Sequence, residues 1–83
     1  MTGKILYKSS VSRDLKHIDS KNKERLLTSI RTVLAENPKA GEPLRGEFEG
    51  LFKIRVGDYR IIYALVGENV LILRIGRRSN VYG

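Results

Sequence analysis

The 83-residue sequence has no cysteine and no tryptophan, a single histidine (His17) and two prolines, and it is short of acids. Nine Asp and Glu stand against sixteen Lys and Arg, a formal charge of +7. Each shortage excludes something. Without cysteine there is no disulfide, thiolate zinc site or thiol nucleophile, which fits a reducing compartment. One histidine and acids without ligand spacing offer no metal centre, and no metal or other cofactor is expected. No apolar run approaches the roughly 20 residues of a membrane-spanning helix, and Met1-Thr2-Gly3-Lys4 leads into an alternating segment rather than a signal-peptide core. A soluble, cytoplasmic protein is expected. What is present, 41% hydrophobic and 30% charged residues, is the composition of a folded domain. The length allows one domain, residues 1–83, with little room for an enclosed pocket, so chemistry belongs on an open face. A pI near 10.1 favours anionic partners: nucleic acid first, an acidic protein second, a membrane surface third.

Lys4 to Lys8 reads as a short strand, followed by Ser9, Ser10 and Ser12 as helix N-caps. Val11, Leu15 and Ile18 form one apolar stripe. Asp19-Ser20-Lys21-Asn22 breaks it and offers new caps, and Leu26, Leu27, Ile30, Val33 and Leu34 restart it, which predicts a helical hairpin ending at Asn37-Pro38. Lys39 to Glu49 is a loop with Leu44 as an anchor. From Gly50 onward the period changes to two. Phe52, Ile54 and Val56 share one face of a strand, Lys53 and Arg55 the other. A Gly57-Asp58 turn sets Val56 opposite Tyr59, Arg55 opposite Arg60 and Lys53 opposite Ile62. A three-residue loop, Gly67-Glu68-Asn69, then sets Val66 opposite Val70, which places Leu71, Leu73 and Ile75 on the aromatic core face and keeps Arg74 with the cations; a two-residue loop would bury Arg74. The expected fold is α+β: a small twisted antiparallel sheet with an N-terminal helical hairpin packed on one face.

The open face then holds Lys53, Arg55, Arg60 and Arg74, with Arg77, Arg78 and Tyr82 at its rim. Solvated surface charge is the plain explanation of any one of them. The count weighs against it, because Gly50 to Gly83 holds six basic residues and two acids, Asp58 and Glu68. Like charges opposite each other in a sheet cost roughly 0.2–1 kcal/mol, so Arg55 against Arg60 points to an anion site. Against an RNA phosphate, guanidinium groups match the oxygens bidentately and stabilise charge on a pentacoordinate phosphorus. Lys53 can act as the base, since the flanking arginines penalise its ammonium form. Tyr82 either stacks on a base or covers the core edge. His17 reads as a helix-surface residue away from the sheet. Beside the cations, Leu51, Ile62, Ala64, Val66, Val70 and Ile72 form an apolar patch that a second copy or a protein partner should cover.

Three segments carry a family resemblance: Pro43-Leu44-Arg45-Gly46, Gly50-Leu51-Phe52-Lys53-Ile54-Arg55-Val56-Gly57-Asp58-Tyr59-Arg60-Ile61-Ile62-Tyr63, and Gly76-Arg77-Arg78-Ser79-Asn80-Val81-Tyr82. With the helical hairpin before them they resemble the RelE/ParE superfamily of bacterial toxins over nearly the whole chain, most of all its RelE branch. That resemblance implies a toxin that cuts messenger RNA in the ribosomal A site by attack of a 2′-hydroxyl, without metal, and that a co-encoded antitoxin holds inactive. It implies catalytic roles for Lys53, Arg55, Arg60, Arg78 and Tyr82. RNA contacts are expected from Arg45, Arg74 and Arg77, and antitoxin contacts from Leu51, Ile62, Ala64, Val66 and Ile72. Relatives often carry histidine where this chain has Arg77, and Arg55 likewise replaces a titratable group, so neither can exchange a proton here. The chain ends at Gly83, before the C-terminal helix of some members, which should leave the apolar patch more exposed. The alternatives are a ParE-like DNA gyrase inhibitor without nuclease activity, which does not need the Lys53/Arg55/Arg60 cluster, and an RNA-binding module without activity.

Overall fold

A computed structural model describes residues 3–77. Strand β1 (Ile5–Tyr7) leads into helix α1 (Ser9–Leu15) and helix α2 (Ser20–Ser29), which continues as a wider helical turn over Ile30–Leu34. A loop carrying the two-residue strand β2 (Glu42–Pro43) and a 3-10 turn (Gly46–Phe48) precedes β3 (Leu51–Val56), β4 (Tyr59–Val66) and β5 (Asn69–Arg77). The sheet order is β1-β5-β4-β3-β2. The α+β architecture is as expected, and β1 joins β5 in parallel, so the sheet is mixed.

The second helix starts where its cap was expected: the Asp19 carboxylate accepts from the Asn22 main-chain N–H, and the helical segment ends before Asn37-Pro38. The first starts one residue early. Lys8 occupies the N-cap without a side-chain bond, so the expected serine caps lie inside the helix or its first turn, and the Ser10 hydroxyl donates instead to the Leu73 carbonyl at 3.0 Å. Val11, Ile18, Leu26, Ile30 and Leu34 are buried against Tyr59, Ile61, Tyr63, Val70, Ile72 and Ile75. Phe52 and Tyr63 face each other across β3 and β4 with stacked rings 5.4 Å apart.

The second hairpin departs from expectation. Its loop is the two-residue Gly67-Glu68, with Val66 opposite Asn69 and Leu65 opposite Val70. Both hairpins place a glycine of positive φ, Gly57 at 62° and Gly67 at 61°, first in the turn, the position a II′ turn reserves for glycine. This loop alone would bury Arg74. Leu73 instead forms a bulge: Tyr63 pairs with Ile72, while Ile62 pairs with Arg74 and Ile61 with Ile75. The extra residue resets the alternation, so Val70, Ile72 and Ile75 all enter the core while Arg74 returns to the open side. Leu71 and Leu73, expected in the core, are half-buried.

Candidate functional site

Side chains on the sheet face away from the helices meet in cross-strand rows. Nearest the Gly57-Asp58 turn, Arg55 lies opposite Arg60, and Gly76 follows on β5. The next row runs Glu42, Lys53, Ile62, Arg74 from β2 to β5. The third is apolar, with Leu51, Ala64, Leu71 and Leu6 side by side. One end of the face is therefore cationic and the other apolar.

Glu42, Lys53, Ile54, Arg55 and Arg60 line a shallow groove of about 220 Å³. Lys53 and Arg60 are half-buried and Arg55 is exposed. Among the described residues none of these three cations is ion-paired. Partial burial strengthens their mutual repulsion, and an entering anion relieves it, above all one whose oxygens can accept two parallel guanidinium bonds. Glu42 is the one carboxylate that lines the groove among the described residues. Reading the sequence missed it, because a residue in a loop rich in glycine and proline gave no sign that two of its residues pair with β3 and bring Glu42 beside Lys53. The strandlet is fixed from the core: the Gly41 N–H donates to the Tyr63 hydroxyl oxygen at 2.8 Å. Burial of that phenol pushes its pKa up, and the Gly41 bond partly offsets the rise.

Arg74 stands in the middle row, yet it is not a free cation. Its Nε donates to the Asp14 carboxylate at 3.1 Å, and the same oxygen accepts the Ile75 N–H at 3.0 Å. The acid comes from α1, outside the stretch in which acids were counted. Arg77 is corrected more sharply. It pairs with Tyr59, on the helix side of the sheet, and its guanidinium lies 5.7 Å from the Tyr59 ring centroid. There it lines a separate depression of about 290 Å³ that also includes His17, Ile18 and Asp14. His17 is thus exposed, as expected, but sits beside the end of the sheet. Arg45 is exposed ahead of the 3-10 turn and does not line the groove. Arg78 and Tyr82 lie outside the described residues.

The apolar patch also needs correction. Ile72 is fully buried and Val70 nearly so, because the two-residue loop turns both into the core, and neither can meet a partner. Ile62 keeps to the open side but is 4% exposed, set between Lys53 and Arg74. Leu51 and Ala64 remain half-buried, and Val66 (50%) and Leu6 (41%) are exposed. Half-buried Leu71 takes the place expected of Ile72, beside Ala64, and Leu6, assigned to no role from the sequence, extends the row from β1. Among the described residues no group of His, Asp and Glu could hold a metal ion, and no helix is long and apolar enough to cross a membrane.

The family model of the ParE toxin of type II toxin–antitoxin systems, parDE, matches residues 5–82. Toxin RelE of Mycobacterium tuberculosis is 36% identical over 77 residues, 89% of this chain and 79% of that protein. Toxin RelG of the same organism is 30% identical over 81 residues, covering 94% and 93%. Among solved structures, the toxin–antitoxin complex RelBE2 from M. tuberculosis contains a chain that matches with a TM-score of 0.87 and 27% identity, over 94% of this chain and all of that one.

Proposed function

The chain belongs to the RelE/ParE superfamily of type II toxins, on its RelE-like side, and from that premise we propose that it is a cytoplasmic endoribonuclease that cuts messenger RNA in the ribosomal A site. The observation that carries this reading is the groove in which Lys53, Arg55 and Arg60 meet, none of them ion-paired among the described residues. A phosphodiester is the anion that suits it. The ribose 2′-oxygen attacks the adjacent phosphorus, the bond to the 5′-oxygen breaks as that oxygen takes a proton from water, and the products are a 2′,3′-cyclic phosphate and a 5′-hydroxyl. Arg55 and Arg60 bind the phosphate oxygens as negative charge grows on them. Lys53 takes the 2′-hydroxyl proton, and Glu42 beside it is the other group in the groove able to do so. Arg78 and Tyr82 complete the site by family likeness, as phosphate ligand and base-stacking residue, and Arg45 meets flanking RNA. No step requires a metal ion.

A co-encoded antitoxin is the second partner. Its apolar segment covers Leu51, Ala64, Val66 and Leu6, with Ile62 beneath, and its acids neutralise the adjoining cations, so one partner shields both ends of the face. A chain of the M. tuberculosis toxin–antitoxin complex RelBE2 shares this fold, which supports an antitoxin partner.

The match to the ParE toxin family leaves a second reading, the one a ParE-like resemblance implies: inhibition of DNA gyrase without RNA cleavage. Induction of the chain in growing cells, followed by primer extension on abundant transcripts, separates the two. New 5′-ends within codons are expected for the nuclease. Growth arrest with intact transcripts would favour gyrase.

A further inference from the structure

Where β1 stops covering β5, helix α1 takes over that edge. The Ser10 hydroxyl donates to the Leu73 carbonyl, and one turn further on the Asp14 carboxylate accepts from the Ile75 N–H and from Arg74 Nε. Arg74 starts from the open face and reaches Asp14 round the edge of β5. Beside this clasp lies the depression of about 290 Å³ that holds Arg74, Arg77 and His17, and it shares no lining residue with the Lys53/Arg55/Arg60 groove. Both of its arginines are fixed without using their terminal nitrogens: Asp14 takes the Nε of Arg74, and Arg77 is held over the Tyr59 ring, 5.7 Å from its centroid. Among the described residues Arg77 has no acid partner, and Asp14, the one acid lining the depression, is already engaged. The floor is apolar, made by Ile18, Tyr59 and Ile75, each no more than 7% exposed.

We propose that this depression binds a small phosphate monoester with a ring-bearing body, the chemistry of a nucleoside 5′-monophosphate. Two guanidinium forks set in position before binding match phosphate oxygens, and the exposed His17 imidazole lies at the same rim as a third donor. A monoester presents three terminal oxygens and close to two negative charges. A phosphodiester within an RNA strand presents two oxygens and one charge, and leaves the third donor idle. The carboxylate of a protein partner likewise has two oxygens and serves one fork. The apolar floor takes the sugar and the base, which inorganic phosphate would leave uncovered. A volume of about 290 Å³, just under the roughly 300–1,000 Å³ of small-ligand sites, suits one nucleotide rather than a strand. The site stands whether or not the chain cuts RNA, since none of its residues takes part in the cleavage proposed above.

The test is NMR titration of the isotope-labelled chain with adenosine 5′-monophosphate. Saturable shifts are expected at the Ile18, Ile75 and Gly76 amides, and Arg74→Gln/Arg77→Gln should weaken binding about tenfold or more. Arg55→Ala/Arg60→Ala should bind the nucleotide like the unaltered chain, which separates the site from the groove on the other face. Adenosine, which lacks the phosphate, should cause no such shifts, and inorganic phosphate should act at the same amides about tenfold or more weakly. The proposal is overturned if Arg74→Gln/Arg77→Gln, shown by its amide spectrum to be folded, binds the nucleotide unchanged, or if the shifts fall on Lys53, Arg55 and Arg60 instead. It is equally overturned if inorganic phosphate binds as tightly as the nucleotide. Displacement of the nucleotide by an equal concentration of a 2′-O-methyl RNA tetramer with a 5′-hydroxyl end, whose phosphates are all diesters, would overturn it too.

Discussion

Arg55 and Arg60 sit directly opposite each other on adjacent strands, and among the described residues neither is ion-paired. Such a pair is held by the rest of the fold rather than by its own energy. Replacing Arg55 with Thr should therefore raise stability by about 0.2–1 kcal/mol, read as a higher denaturation midpoint, while cleavage falls. A loss of stability on that replacement would mean that the two guanidinium groups share an anion or water network that holds the strands together.

Asp14 has the opposite character. Its carboxylate satisfies the Ile75 N–H beyond the point where β1 stops covering the edge of β5, and it is 14% exposed. Asp14→Ala should cost about 1–3 kcal/mol in chemical denaturation, since a part-buried N–H loses its acceptor together with an ion pair. Arg74→Ala removes only the half-exposed partner and should cost less than about 1 kcal/mol. An equal cost for the two would show that the Ile75 bond contributes little.

Tyr63 and Gly41 tie the strandlet bearing Glu42 to the core. Tyr63→Phe should cost about 0.5–1.5 kcal/mol and speed hydrogen exchange at the Gly41 amide. Gly41→Ala should be worse, because an added Cβ would lie 2.6 Å from the Tyr63 hydroxyl oxygen and 2.7 Å from the Lys53 carbonyl. Unchanged Gly41 exchange in Tyr63→Phe would locate the anchor elsewhere.

The phenol of Tyr63 also sets a pH dependence. Burial raises its pKa above 10.0, so the unfolded chain ionises first as pH rises. The stability from the buried neutral phenol is full below pH 10.0 and is lost as pH climbs through the higher folded value. Tyr7, raised by burial and partly lowered by Arg31, acts in the same direction. Alkaline denaturation should begin near pH 10 and be blunted in Tyr63→Phe; an unaltered alkaline limb would assign it to other groups.

The first hairpin was legible residue by residue, because Gly57-Asp58 admits a two-residue turn and the alternation on both sides agrees with it. The second was not. Val70-Leu71-Ile72-Leu73 is apolar at every position, so no alternation marks which residues face the core, and the bulge at Leu73 leaves no sequence signal. Arg74 was placed on the correct side by an incorrect loop. The price of that error was the exchange of Leu71 for Ile72 on the open face, where Leu71 stands beside Ala64. Asp14 and Glu42 escaped notice for a shared reason: each reaches the sheet from an element that precedes Gly50, and charge counted from Gly50 onward cannot register it.

The central claim is that the groove of Lys53, Arg55 and Arg60 cleaves RNA. Its most direct measurement is cleavage of messenger RNA on isolated ribosomes, comparing the unaltered chain with Arg60→Ala of matched stability. Cleavage by the unaltered chain leaving 2′,3′-cyclic phosphate ends, and a loss of about 10²–10³-fold or more in Arg60→Ala, is the predicted result. Equal cleavage by the two proteins would contradict it, as would products that end in a 3′-hydroxyl.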